Sequence, residues 1–152
     1  MNKKELGFLA ILFVLDILSK QLMEGILVNT KNIPVIPGFF AFTSVHNTGA
    51  AWGMLAGRQE VFFIIAILVI GIILYFLFTH EYDTKWERRA LLMVLAGTAG
   101  NLYDRIVYGY VRDFLDFTIF GYDYPVFNLA DCFLCVGFAI LAIGIIFNKE
   151  EN

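Results

Sequence analysis

The stretch GNLYDRIVYGYVRDFLDFTIFGYDYPVFNLAD, residues 100–131, lies between two strongly apolar segments and carries Asp104, Asp113, Asp116, Asp123 and Asp131. An ionised group leaving water loses solvation that hydrocarbon cannot replace, so a carboxylate near membrane depth is either paired or functional. The pattern therefore predicts a transmembrane hairpin with acids at its mouth, and the rest of the chain reads as the scaffold that holds them.

Working outward, the composition supports a membrane setting. The chain has 152 residues, 59% of them hydrophobic and 16% aromatic, with a mean hydropathy of +0.72; soluble domains hold roughly 45–50% apolar residues. A formal net charge of -3 supplies none of the basic surface that nucleic acid requires, which excludes nucleic-acid binding. Cys132 and Cys135 form a CxxC with no second pair and no nearby histidine, so they are expected to be small buried core residues and not zinc ligands.

Four spans are expected, at about 6–23, 61–78, 90–105 and 126–147, since roughly 20 residues at about 1.5 Å each cross the hydrocarbon. The fold class is then a membrane α protein: a four-transmembrane-helix bundle with a small extracytoplasmic β-sheet lying on the outer membrane surface, all within one integral membrane domain, 1–152. The first span imitates a secretory signal, but it carries Asp16 and Lys20 and has no cleavage site behind it, so it reads as a retained anchor. Lys3, Lys4, Lys85, Arg88, Arg89 and Lys149 fall on one side of these spans, and Lys31, Arg58, Arg105 and Arg112 on the other. That bias puts both termini in the cytoplasm.

Within the spans, Asp16 and Lys20 stand one turn apart and are expected to pair. The outer connection 25–60 contains FAFTSV (40–45), whose alternation predicts a half-buried strand. It is followed by HNTGAAWG (46–53), in which Gly49 and Gly53 allow close backbone approach and Trp52 suits a membrane interface. His80 reads as a solvated turn residue. Asn101, Asp104 and Arg105 share one face at the end of the third span. Asn128 and Asp131 lie one turn apart on the fourth, with Asp131 about 7–8 Å inside a helix starting at Val126. The second outer connection, 106–125, is expected to be able to close over the site.

Two carboxylates facing each other in a partly dry site cannot both ionise easily, so one serves as base and one as acid. Such a pair can activate water against a peptide carbonyl and protonate the leaving amine. Neighbouring asparagines can orient the acids or stabilise the oxyanion. These patterns leave open whether Asp104, Asp113 or Asp116 is the partner of Asp131. A metalloprotease HExxH is absent, and His46 and His80 fall on opposite sides of the expected bilayer.

Five pieces in order, Asp16 with Lys20, HNTGAAWG, GNLYDR (100–105), VRDF (111–114) and FNLAD (127–131), resemble the lipoprotein signal peptidases, or type II signal peptidases. The resemblance covers nearly the whole chain. It implies an aspartic endopeptidase of the bacterial cell membrane that removes the signal peptide of a diacylglyceryl-modified prolipoprotein, cutting before the lipidated cysteine. It further implies Asp113 and Asp131 as the catalytic pair, and Asn47, Gly49, Asn101, Arg105, Asn128 and Ala130 as residues that shape the site. Asp16, Lys20 and Asp104 would be structural polar support, with no cofactor and no metal. The implied partners are the prolipoprotein substrate, membrane lipid and a peptide-like inhibitor such as globomycin, and the protein would act as a monomer from the extracytoplasmic side. The rival class is a small proton-coupled transporter or a non-catalytic membrane assembly factor. A transporter predicts mid-membrane carboxylates in broken helices with repeat symmetry.

Overall fold

The computed structural model describes residues 1–50, 54–79 and 84–148. The expectations placed on Trp52, Gly53, His80 and Lys149 lie outside the described residues. Among the described residues, four helices run α1 (Lys3–Leu27), α2 (Gln59–Thr79), α3 (Lys85–Tyr108) and α4 (Leu129–Asn148). Helices α1 and α3 start on capping boxes that end in a glutamate: Asn2 with Glu5 for α1, and Thr84 with Glu87 for α3. In each, the cap side chain and the third helical residue satisfy one another's backbone N–H.

The helices form an up-and-down bundle. Glu5 accepts from Arg88 Nε at 2.5 Å and from Nη2 at 2.7 Å, joining the starts of α1 and α3. Arg88 also donates to the Leu77 carbonyl near the end of α2. Among the described residues, three helices, α1, α2 and α4, are long and apolar enough to cross a membrane. Their outer faces expose large aliphatic side chains, such as Leu18 and Leu22 on α1, Ile64 and Leu68 on α2, and Ile145 on α4. An apolar surface that extensive suits lipid and not water.

Helix α3 is of similar length but is built differently. It packs against the other three helices, and Leu91, Leu92, Val94, Leu95 and Leu102 along it are buried. Leu91, Leu92, Val94 and Leu95 form the main core with Ile73 and Leu77 of α2, flanked by Phe8 and Leu9 of α1 and Leu134 and Leu141 of α4. Small residues let α3 and α4 approach closely, as is common where membrane helices pack. A Cβ on Gly137 would sit 2.6 Å from Val94 Cγ2 and 2.9 Å from the Ala90 carbonyl. One on Gly97 would sit 2.5 Å from the Ala130 carbonyl.

An antiparallel sheet joins one end of the bundle, in the order β1 (Asn32–Ile36), β2 (Phe40–Asn47), β3 (Val111–Ile119) and β4 (Tyr122–Asp123). Met23 and Leu27 of α1 dock it through Phe114, with Ile33, Phe42, Leu115 and Leu129 around them. Gly109, at a φ of 79°, ends α3 in the left-handed conformation and turns the chain into β3.

Three expectations change. The connection 106–125 is not a loop free to fold over the site, because it supplies an inner strand, β3, and its short partner β4. Helix α4 starts at Leu129 and not at Val126, because Phe127 pairs with Leu115 and continues the sheet. Cys132 is only half-buried and Cys135 is exposed, since α4 turns that side toward the surroundings and not toward α3.

The close approach of α3 and α4 is testable by adding one methyl. Overpacking costs about 1–3 kcal/mol, more than the ~1 kcal/mol of helix propensity gained by replacing glycine. Gly137→Ala should therefore lower the melting temperature in detergent. Gly71→Ala, where a Cβ meets nothing within 4 Å, should leave it unchanged or raise it.

Candidate active site

The local rule of strand alternation decides which side chains can meet here. Cross-strand partners Phe40 and Phe117, Phe42 and Leu115, Val45 and Asp113, and Asn47 and Val111 share one face of the β2–β3 pair. Simple alternation from Phe42 would bring Ser44 and His46 to that face. A one-residue bulge between Phe42 and Val45 shifts the parity, so that Asn47 stands beside Asp113 while His46 points away. His46 instead pairs with Glu24 at 3.0 Å and stacks on Tyr110.

The five carboxylates of the opening stretch separate into distinct environments. Asp123 and Asp116 each accept from a threonine hydroxyl, of Thr118 and Thr43 respectively. Asp104 is fully buried and holds Arg112 through the backbone N–H, Nε and Nη2, at 3.0, 3.1 and 2.8 Å. Asp113 and Asp131 converge. Asp113 accepts from Asn47 Nδ2 at 2.9 Å and from Asn128 Nδ2 at 2.6 Å. Asp131 accepts from Asn101 Nδ2 at 2.8 Å and from the Asn128 backbone N–H at 3.2 Å.

Asn128 caps α4, since its Oδ1 also accepts from the Asp131 N–H at 3.1 Å. The pair is thus a capping box in which the third helical residue is an aspartate, and one buried asparagine holds both carboxylates. Asp131 sits in the first turn of its helix and not 7–8 Å inside it. The site nonetheless lies below the rim of the bundle, because Lys20, level with it, is seven residues or about 10 Å short of the end of α1.

Behind the carboxylates lies a buried polar layer. Lys20 Nζ donates to Asp16 Oδ2 at 2.7 Å and to Asn101 Oδ1 at 2.9 Å, and lies 3.8 Å from Asp104. Asp16 Oδ1 accepts from the Ala130 N–H at 2.9 Å, which ties α1 to the start of α4. Arg105 donates to the carbonyls of Gly49 and Asn101, and its guanidinium lies over Phe62 at 4.6 Å. Asn47 Oδ1 accepts from the Gly49 N–H. Asp113, Asp131, Asn47, Gly49, Asn101, Arg105, Asn128, Ala130, Asp16, Lys20 and Asp104 therefore belong to one connected assembly. Arg112 and its further partner Gln21 carry no assignment from the sequence. The available signal is that a buried arginine in a strand must find a carboxylate.

The charges of this assembly nearly balance. Asp16, Asp104, Asp113 and Asp131 face Lys20, Arg105 and Arg112, so the layer is neutral with one proton held on a carboxylate. Burial, and next the charge of Asp131, push the Asp113 carboxyl from an ordinary 3.8 up to about 7, against the hydrogen bonds from Asn47 and Asn128. A proton shared at neutral pH suits general acid–base work. Among the described residues no group of three or more His, Cys, Asp or Glu is arranged to hold a metal ion.

Set beside known proteins, residues 8–147 match the family model described as "Signal peptidase (SPase) II". A "Lipoprotein signal peptidase" of Staphylococcus carnosus (strain TM300) is 36% identical over 91% of this chain and 87% of its own. Another protein so described, from Staphylococcus aureus (strain JH9), is 37% identical over 100% and 98%. Two solved structures, both described as a bacterial membrane enzyme studied by the in meso method, superpose with TM-scores of 0.86 and 0.80 at 32% and 34% identity. They cover 98% and 93% of this chain, and 91% and 92% of their own. With its apolar helices, the chain is a multi-pass membrane protein.

The raised Asp113 value has a consequence for stability. A carboxyl that binds its proton more tightly when folded than when unfolded contributes stability at low pH and loses it as pH rises from about 4 to about 7. The melting temperature in detergent should fall across that window. Asp113→Asn, which has no carboxyl to titrate, should flatten the slope measured between pH 4 and 7.

Proposed function

This chain belongs to the signal peptidase II family and is a hydrolase, and on that premise we propose that it is a two-aspartate endopeptidase that cleaves the signal peptide of diacylglyceryl-modified bacterial prolipoproteins, N-terminal to the lipidated cysteine. The observation that carries the proposal is Asn128, which holds Asp113 by its side chain and Asp131 by its backbone.

In this reading Asp131 is the base. A helix N-terminus and two N–H donors converge on it, and both favour negative charge. Asp113 holds the proton and delivers it to the departing amine. Water placed between them adds to the scissile carbonyl, Asp131 takes a proton from that water, and the C–N bond breaks as Asp113 protonates the nitrogen. Asn47 and Asn128 hold Asp113 for this transfer. The amides of Asn101 and Asn128 support Asp131. Arg105, Gly49 and Ala130 shape the space around the peptide.

The same reading gives the chain four crossings, with α3 as the one enclosed by the other three. Both termini face the cytoplasm, and the site faces the extracytoplasmic side of the bacterial membrane. A lipidated cysteine keeps its acyl chains in the bilayer, so carboxylates about 10 Å below the end of α1 meet the scissile bond near the depth at which it lies. The substrate's lipid and a peptide-like inhibitor such as globomycin would compete for this mouth, and one copy of the chain suffices. The transporter and assembly-factor readings lose their footing with the family assignment.

Purified protein should cleave a diacylglyceryl-modified precursor far faster than the unmodified peptide, and globomycin should stop it. Asp113→Asn and Asp131→Asn should each stay folded and lose about 100-fold or more in kcat. Retention of full turnover by either would sink the pair. Because Asp113 must hold a proton, kcat should decline as pH rises through about 7, which a pH–rate profile checks.

A further inference from the structure

A side-chain amide can present either its oxygen or its NH2 to a carboxylate, and only the NH2 helps a carboxylate keep its charge. Each of the three asparagines touching Asp113 or Asp131 has its oxygen tied elsewhere. The oxygen of Asn47 is held by the Gly49 N–H and that of Asn128 by the Asp131 N–H, both within two to three residues on the same segment. Asn101 differs, because its oxygen is held from another helix by the Lys20 ammonium at 2.9 Å, with the Asn128 amide at 3.2 Å beside it.

Lys20 has no exposed surface, and its other close partner is Asp16. Helix α1 can approach Asn101 this closely because the preceding residue is Gly100, where a Cβ would run into the Asp16 carboxylate. We propose that Lys20 is a positioning residue for peptide cleavage, acting through Asn101: its ammonium pins the amide oxygen so that the amide NH2 faces Asp131 and supports it as the base. A purely structural Asp16–Lys20 pair has no need to reach α3, whereas this one bonds the residue that touches Asp131.

The inference rests on the two-carboxylate reading and makes its own demand on pH dependence. Asp131 faces Lys20 from α1, Asn101 and Arg105 from α3, Asp113 from β3 and Cys132 on its own helix, with Asp16, Asp104 and Arg112 in the layer behind. Of these, Asn101 alone among the side chains donates to Asp131. Losing that donor makes the carboxylate harder to ionise, so the acidic limb of the kcat profile moves to higher pH.

The test is a double-mutant cycle on kcat between pH 5 and 9. One arm is Asp16→Asn with Lys20→Met, which removes the buried charges as a pair. The other arm is Asn101→Ala, which leaves that pair intact. Each arm should lower kcat by up to about 100-fold, leave KM within about twofold, and shift the acidic limb upward, and the two effects should not add when combined. Should the paired variant fail to fold, Asn101→Ala still decides, because an unmoved acidic limb in that variant overturns the relay. Additive losses, or a lowered melting temperature with an unshifted profile, would also overturn it. Asp131→Asn measured alongside separates the two readings: if it is inactive while the other variants keep the normal profile, the relay is wrong and the carboxylate pair stands. If it is active, the pair itself is wrong.

Discussion

One buried asparagine holds the site together. Asn128 has no exposed surface, and its groups bond Asp113, Asp131 and Asn101 at once. An amide supplies two donors and an acceptor in a fixed plane, so a single side chain sets the spacing and orientation of two carboxylates on different elements. Asn128 occupies its position because Phe127 continues the sheet beside Leu115 and α4 starts at the next turn. Sheet and bundle are therefore joined at the residue that holds both carboxylates.

The polar layer beneath is costly to bury, and its composition shows how the cost is offset. Lys20 lies between Asp16 and Asp104, and Arg112 closes on Asp104. Removing one member of such a group leaves an uncompensated charge, which is far worse than never having buried the group. The layer also ties α1 to α4 through the Asp16 bond to the Ala130 N–H, so the ion pair of α1 holds the end of the helix that carries Asp131.

Much of this was legible along the chain. The apolar runs of α2 and α4 follow from the absence of charge over most of a bilayer's thickness, and α1 keeps an apolar run that only Asp16 and Lys20 interrupt, whose pairing follows from their one-turn spacing. The strand at 40–45 follows from alternation, and the grouping of the site residues from the resemblance to a known family. Helix α3 was harder to read. A helix enclosed by three others gains from small residues and has no need of lipid-facing leucines, so its apolar signal is weaker even though Val94 and Ala96 are fully buried.

By itself the sequence determined the membrane setting, the long apolar helices, and the set of polar residues that must find partners, because each of these depends on local periodicity or on solvation cost. Apart from the Asp16–Lys20 pair, only the tertiary structure decided which partner each one found. Asn47 rather than His46 reaches Asp113 because of a bulge that alternation cannot announce, since one extra residue reverses every side chain beyond it. Asp113, and not Asp104 or Asp116, meets Asp131 because Arg112 and Thr43 take the other two. Such choices are settled between elements far apart in the chain, where spacing carries no information about distance.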